Sequence, residues 1–275
     1  MAFTFGAGVG DDINTSINAV QIGASGANHF FCGWFYPTTL TAGRAYWTFG
    51  NTHGAYVGAT TSELLLQTDN TTDGQWSTSG AGLVVDKWQF IAWANACENV
   101  SVDGAWRVWI GDINTAPVEI TVNLDVARVG NYTSSGACII GNAGTGGSLS
   151  FEGDIGSFTS IGVANAGINT FSTILTSGVI SNDQADILYR RWVLPAWLGS
   201  PSLGFLSAAT ILNSLCALHI DLNSRLPVGW QYTAVAVASA PTALTINGAT
   251  FSENRPPRII LPDWTIQLPR VRRGA

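Results

Sequence analysis

Lysine occurs once in this chain, at Lys87, and charged residues of all kinds make up only 11% of its 275 positions. Globular domains usually carry about twice that share. Low charge together with 46% hydrophobic residues excludes intrinsic disorder over most of the length, because disordered chains combine high charge with little apolar mass. Cysteine is equally sparse. Cys32, Cys97, Cys138 and Cys216 lie far apart, with no Cys-x-x-Cys pair and no Cys/His spacing of a zinc site. Four are too few for a disulfide scaffold, so buried free thiols are expected. His29, His53 and His219 are isolated, and no Ser-His-Asp arrangement can be read. The first residues, Met1-Ala2-Phe3-Thr4-Phe5-Gly6, lack a basic stretch followed by a long apolar one. The expectation is a protein made and assembled inside a cell, whose Asn-x-Ser/Thr sites at Asn14, Asn70, Asn99 and Asn131 carry no sugar. These patterns call for no metal and no cofactor.

The net charge of −6 argues against a whole-chain nucleic-acid binder. It is unevenly spread. Residues 253–275 hold Arg255, Arg258, Arg270, Arg272 and Arg273 against Glu253 and Asp263, a net of +3, which leaves −9 on the rest. The arginines are too few for strong nucleic-acid affinity and point to protein contact. No formal charge falls between Arg191 and Asp221, but Pro195, Gly199, Pro201 and Gly204 interrupt that stretch. It therefore reads as a buried connection or subunit contact and not as a membrane span.

What is abundant is glycine (31), tryptophan (11) and short alternating runs. Val118-Glu119-Ile120-Thr121-Val122-Asn123-Leu124 alternates apolar and polar as one half-buried strand should. Similar runs lie at His29–Tyr36, Arg44–Phe49, Glu63–Thr68, Trp88–Ala94, Trp106–Ile110, Ala137–Ile140 and Leu149–Ile155, and again at Ala217–Leu222, Trp230–Val237 and Leu244–Ile246. Turn residues such as Asp73-Gly74 and Gly144/Gly146/Gly147 separate them. Many short strands at this spacing predict an all-β sandwich or jelly roll. One helix is signalled by the capping box Ser181-Asn182-Asp183-Gln184, with Arg190 and Arg191 at its far end, and a weaker one covers Leu203–Leu215. The last segment, with Pro256, Pro257, Pro262 and Pro269, cannot be helical and reads as an extended arm.

Five segments in order carry a resemblance: Phe30–Pro37 (FFCGWFYP), Lys87–Ala92, Trp106–Gly111 (WRVWIG), Ile139-Ile140-Gly141 and Phe151–Gly156. They resemble the concanavalin A-like, laminin-G-like jelly roll, with Trp88–Ala92 matching its W-x-x-h-A strand. Gly156 stands where that family has an aspartate, and Ile187-Leu188-Tyr189 matches the end of its short helix. The resemblance covers residues 1–200. It implies a concanavalin A-like jelly-roll sandwich with one or two short helices and an extended C-terminal arm. The domain reading is a jelly roll over 1–200, a helix and strands over 201–252 that complete or extend it, and the arm over 253–275. Thr245–Phe251 with Arg255-Pro256-Pro257 is similar to the ends of laminin-G-like virion proteins of tailed bacteriophages.

That second resemblance implies a virion structural protein that decorates or cements a capsid, with the major capsid protein or other virion subunits as partners and a homo-oligomer, such as a trimer, as its state. The arm residues Arg255, Arg258, Ile259, Ile260, Leu261, Trp264, Leu268, Arg270, Arg272 and Arg273 are then the partner-binding set. The alternative is a glycan-binding, lectin-like module of a tail fibre or spike, which requires an exposed aromatic beside Asp or Asn at a loop edge. Trp34, Trp47, Trp76, Trp93, Trp106 and Trp109 are candidate sugar platforms, with core packing as the rival reading. Asp11-Asp12 and Asp69-Asn70 with Asp73 supply candidate calcium oxygens, with turn formation as the rival. Glu152-Gly153-Asp154 offers two of the three carboxylates of a glucanase strand; without the third, no enzymatic activity is expected. Gly6–Gly10 resembles a phosphate loop only in its glycines, and Asp11-Asp12 would repel phosphate.

Overall fold

The computed structural model describes residues 2–6, 10–18, 29–50, 53–60, 62–68, 72–80, 82–95, 106–112, 114–115, 117–130, 136–144, 147–162, 216–220, 233–234, 242–243 and 245–254. In chain order the strands are β1 (Ala2–Phe5), β2 (Asp12–Asn18), β3 (His29–Pro37), β4 (Ala45–Phe49), β5 (His53–Val57), β6 (Leu64–Thr68), β7 (Gly74–Thr78), β8 (Gln89–Asn95), β9 (Trp106–Asp112), β10 (Val118–Ile120), β11 (Val122–Val126), β12 (Ala137–Ile140), β13 (Gly153–Gly162), β14 (Cys216–Ile220), β15 (Thr233–Ala234), β16 (Thr242–Ala243), β17 (Thr245–Asn247) and β18 (Thr250–Ser252).

Two antiparallel sheets of eight strands each face one another as an all-β jelly-roll sandwich. The first runs β10-β9-β8-β3-β13-β1-β18, and β14 pairs with the far half of β13. The second runs β11-β7-β6-β5-β4-β12-β2-β17. Long, apolar strands take the centre because they bury most surface there. β3 pairs with β8 over His29–Phe35 and with β13 over His29–Pro37.

Both lateral edges are closed by a strand that changes sheet. β10 pairs with β9 in the first sheet and β11 with β7 in the second, with exposed Thr121 between them. The alternation of Val118–Leu124 therefore does not form one strand. Alternation marks which way side chains point, but not which sheet receives the backbone, and Val118 ends 57% exposed on the edge. On the opposite edge β17 pairs with β2 and β18 with β1, so the last described strands lie beside the first.

The core between the sheets is aromatic. Phe31 lies against Trp47 with ring centroids 3.9 Å apart, Phe35 meets Tyr46 edge-on at 5.1 Å, and Trp47 touches Trp93 and Trp106 at 6.2 and 6.3 Å. His53 is buried among Trp47, Phe49 and Trp106 at about 6 Å, a packing role. Cys32 and Cys138 are buried free thiols, as expected, and burial pushes the Cys138 thiol and the Tyr46 phenol far above their ordinary pKa. Cys97 lies outside the described residues, as do the helices read at 181–192 and 203–215 and the arm from residue 255 onward.

Candidate binding surfaces

The six tryptophans singled out as sugar platforms, Trp34, Trp47, Trp76, Trp93, Trp106 and Trp109, are all fully buried. None can stack on a ligand from solution, and the core-packing reading holds for every one. The sequence could not separate the two roles because an indole at a strand position has the same period whether it faces a core or a sugar. Trp109 sits under the Arg107 guanidinium, 4.9 Å from its ring centre. Glu119 opposite clamps that guanidinium through two 2.6 Å hydrogen bonds.

The acidic candidates are likewise committed. Gly153 has φ +142°, and a Cβ there would lie 2.0 Å from the Tyr36 carbonyl oxygen. Its neighbours take separate partners. Glu152 accepts a hydrogen bond from Thr39 Oγ1 at 2.6 Å and pairs with Arg44 at 2.9 Å, whereas Asp154 accepts from Thr4 Oγ1 and from Asn254 Nδ2 at 2.6 Å. Asp11 accepts from the Gly6 amide at 2.6 Å and presses on Gly248, which adopts φ +63°. Asp12 is fully buried and accepts from Asn247 Nδ2 at 2.8 Å, tying β2 to β17. The Gly10 amide donates to the Gly147 carbonyl at 3.1 Å, so Gly6 and Gly10 both donate within the fold. Asp69 and Asn70 lie outside the described residues, and among the described residues no three His, Cys, Asp or Glu side chains group as metal ligands.

Two surfaces remain. The first is the outer face of the second sheet. Leu64, Leu66, Trp76 and Val122 point inward, which turns Leu65, Gln67, Gln75, Ser77 and Asn123 outward, each half-buried. Gln67 stands directly opposite Gln75, and Ser77 lies between Leu65 and Asn123. Asn123 Nδ2 donates to Ser79 Oγ at 2.9 Å and Ser77 Oγ to Asp125 at 3.1 Å. The side-chain amides of Gln67 and Gln75 make no hydrogen bond to another described residue. The sequence reading passed over these five. Three consecutive leucines in LLLQT hide the alternation of β6, so in the sequence only Gln67, Gln75 and Ser77 mark its and its neighbour's outward side.

The second surface lies where β3, β13 and β1 end together. Tyr36, half-buried, packs on Trp88 at 5.6 Å beside Asp154 and Asn254. It brings aromatics beside Asp and Asn, but Tyr36 is half-buried and Trp88 buried, so it lacks the exposed ring that the lectin alternative requires. Its polar atoms also bond one another: Trp88 Nε1 donates to Asn254 Oδ1 at 3.0 Å, and Asn254 Nδ2 donates to Asp154. Next to it runs the loop 82–88, where Lys87 pairs with Asp112. Burial pulls the Asp112 carboxyl upward, but the Lys87 hydrogen bond, the Asn114 and Thr115 amides and the Lys87 charge outweigh it and hold the group below its ordinary value. The ten arm residues, Arg255 to Arg273, lie outside the described residues, so the structure assigns them no contact.

The sequence matches no family model and no curated protein. Among solved structures it is similar to a Bacteroides ovatus protein provisionally classed as carbohydrate binding. The identity is 10% and the TM-score 0.50, over 93% of this chain and 60% of that one. That likeness shows the shared concanavalin A-like jelly-roll fold; this chain spans only 60% of that protein's length. Weaker likenesses are to domains LG4-5 of mouse laminin alpha1 (8% identity, TM-score 0.38, covering 58% of this chain and 40% of that one) and to the heptameric SAP-like pentraxin of Limulus polyphemus (10%, 0.36, covering 64% and 81%).

Proposed function

We propose that this chain is a carbohydrate-binding jelly-roll module that holds a neutral glycan across the outer face of its second sheet. The observation that carries the reading is the facing pair Gln67 and Gln75, two outward amides without partners among the described residues, on a strip that Leu65, Ser77 and Asn123 extend without formal charge. Each amide offers donors and an acceptor, the complement of sugar hydroxyls. The net of −9 outside the terminal segment disfavours anionic glycans. The fold shared with the Bacteroides ovatus protein supports the same class of ligand. With no stacking ring on the strip and roughly 0.5–1.5 kcal/mol per hydrogen bond, a handful of contacts gives affinity of order millimolar.

The virion-decoration reading keeps its sequence support in Thr245–Phe251 and Arg255-Pro256-Pro257, and no contact among the described residues favours it over glycan binding. The deciding experiment is a glycan array followed by calorimetry with the best neutral oligosaccharide. Substituting Gln67→Ala and Gln75→Ala together removes two hydrogen bonds of about 1 kcal/mol each and weakens binding roughly 30-fold. Chelating calcium leaves binding unchanged. Absence of binding to every neutral glycan, or full binding by the double variant, overturns the proposal.

A further inference from the structure

The turn between β17 and β18 holds the chain's one Asn-Gly pair, Asn247-Gly248. The fold demands both residues. Gly248 adopts φ +63°, and a Cβ there would lie 1.9 Å from Asp11 Oδ1, while the other oxygen of Asp11 accepts from the Gly6 amide at 2.6 Å. A side chain at 248 would be strained and would displace that carboxyl group. Asn247 stands opposite Asp12 across β2 and β17, and its Nδ2 donates to Asp12 Oδ1 at 2.8 Å. Asp12 is fully buried, which makes the donor at 247 costly to lose.

Asparagine before glycine is the least hindered setting for loss of a side-chain amide. The Gly248 nitrogen bonds to Asn247 Cγ, the Cγ–Nδ2 bond breaks, and the amide nitrogen takes up the Gly248 proton and leaves as ammonia. Water then opens the cyclic imide at either carbonyl, leaving aspartate or isoaspartate at 247. The balance is amide plus water to acid plus ammonia, with nothing oxidised or reduced. Water has access: Gly248 is exposed and Asn247 half-buried, on a strand of 3 residues that has β2 as its neighbour at the end of the second sheet. Short edge pairings of this kind open locally at little cost. The restraints are the Asp12 hydrogen bond and the Ala249 amide, which donates to the Asn247 carbonyl at 2.6 Å.

The product cannot restore the link. An acid at 247 has no Nδ2 to donate, and it faces the buried Asp12 carboxyl group with Asp11 next in the chain. Two carboxylates at that distance repel, and separation of β17 from β2 relieves them. Isoaspartate also adds a carbon to the backbone just before the turn that joins the two sheets.

We propose that Asn247 is a site of spontaneous deamidation, and that its conversion releases β17 from β2 as a one-way change in the edge that closes the sandwich. The site lies at the opposite end of the second sheet from Gln67 and Gln75, so the inference stands apart from the glycan reading.

Ageing the full chain in mildly alkaline buffer, followed by peptide mapping with mass spectrometry, tests the site. Residue 247 is expected to convert to a mixture of aspartate and isoaspartate, faster in urea than in the folded chain because Asp12 no longer holds the amide. Hydrogen exchange tests the release. Amides of 245–247 and 12–14 should exchange at least tenfold faster in the converted protein, while those of β3 and β8 stay unchanged. Asn247→Gln, whose longer side chain closes an imide poorly, should keep parent exchange through the same ageing. Asn247→Asp should show fast exchange from the start, and Asp12→Asn in that background should restore slow exchange, because acid and amide have changed places. A folded chain that stays intact at 247 while the urea-unfolded chain converts overturns the site. Parent-like exchange after conversion, or no rescue by Asp12→Asn, overturns the release.

Discussion

The two sheets are built from strands of similar length, yet their outer faces differ. In the first sheet the residues pointing away from the sandwich core, Cys32, Trp34, Phe90, Ala92 and Trp109, are buried as completely as those pointing into it. In the second, the outward residues of β6, β7 and β11 (Leu65, Gln67, Gln75, Ser77 and Asn123) are half-exposed and mostly polar, whereas Thr48, Tyr56 and Ile139 on β4, β5 and β12 are buried. The strand sequences carry this difference. FFCGWFY and FIAWA are apolar at nearly every position, the pattern of a strand covered on both sides, whereas LLLQT and GQWST alternate in burial and place Gln67, Gln75 and Ser77 on the outer side, as in a strand covered on one. A buried outer face contributes to stability, while a wet one is left available for recognition.

That contrast can be broken by substitution. The largest effect is expected at Trp34→Ala, which should cost about 3–5 kcal/mol, as much as Trp47→Ala in the core, while Gln67→Ala and Gln75→Ala stay within about 0.5 kcal/mol. Urea unfolding measures all four, and a loss below about 1 kcal/mol at Trp34 would show that the outer face of the first sheet is not truly interior. Gly153→Ala should come next, at more than about 2 kcal/mol, because its Cβ meets the Tyr36 carbonyl and φ +142° disfavours a side chain. A well-folded, equally stable variant would show that β3 and β13 can separate there. Asp154→Ala leaves the Thr4 hydroxyl and the Asn254 amide without their acceptor and should cost about 1–3 kcal/mol; Thr4→Val in the same background should then cost little.

The smallest effect concerns pH. The Asp112 carboxyl is held below its ordinary pKa, so its contribution is complete above the ordinary carboxylate range and is lost as pH falls through the lower folded value. The pair with part-exposed Lys87 is worth at most about 1 kcal/mol. Lys87→Met should therefore lower stability by up to about 1 kcal/mol at neutral pH, change little at low pH where Asp112 is protonated, and so flatten the acid limb slightly. A loss that appears only above neutral pH would reverse that assignment.

Fold class was legible because runs such as Phe30–Tyr36 and Trp106–Ile110 are short and dense in aromatic residues, with turn residues between such runs. β5 (HGAYV) and β7 (GQWST) were not, because each opens on His-Gly or Gly and its strand character comes from neighbours on both sides. The sheet change at Thr121 was invisible for the reason already given: side-chain alternation continues straight through it. The separation of Glu152 from Asp154 depends on a single positive φ at Gly153, which no two-residue period encodes. Of the binding surfaces, the tryptophans drew attention by their size and proved structural, while Gln67 and Gln75 drew none because their meaning depends on facing each other across two strands.

The pairing of β17 with β2 and of β18 with β1 has a consequence for synthesis. Asp12 must wait for Asn247, and Ala2 for Ser252. At roughly 5–20 residues per second, a ribosome takes on the order of ten to fifty seconds to deliver the second member of each pair. Throughout that interval the nascent sandwich presents two unzipped backbone margins, with Phe3 lacking the edge-on ring of Phe251. Translation speed, and whatever shields those margins meanwhile, thus becomes part of how the molecule reaches its native state.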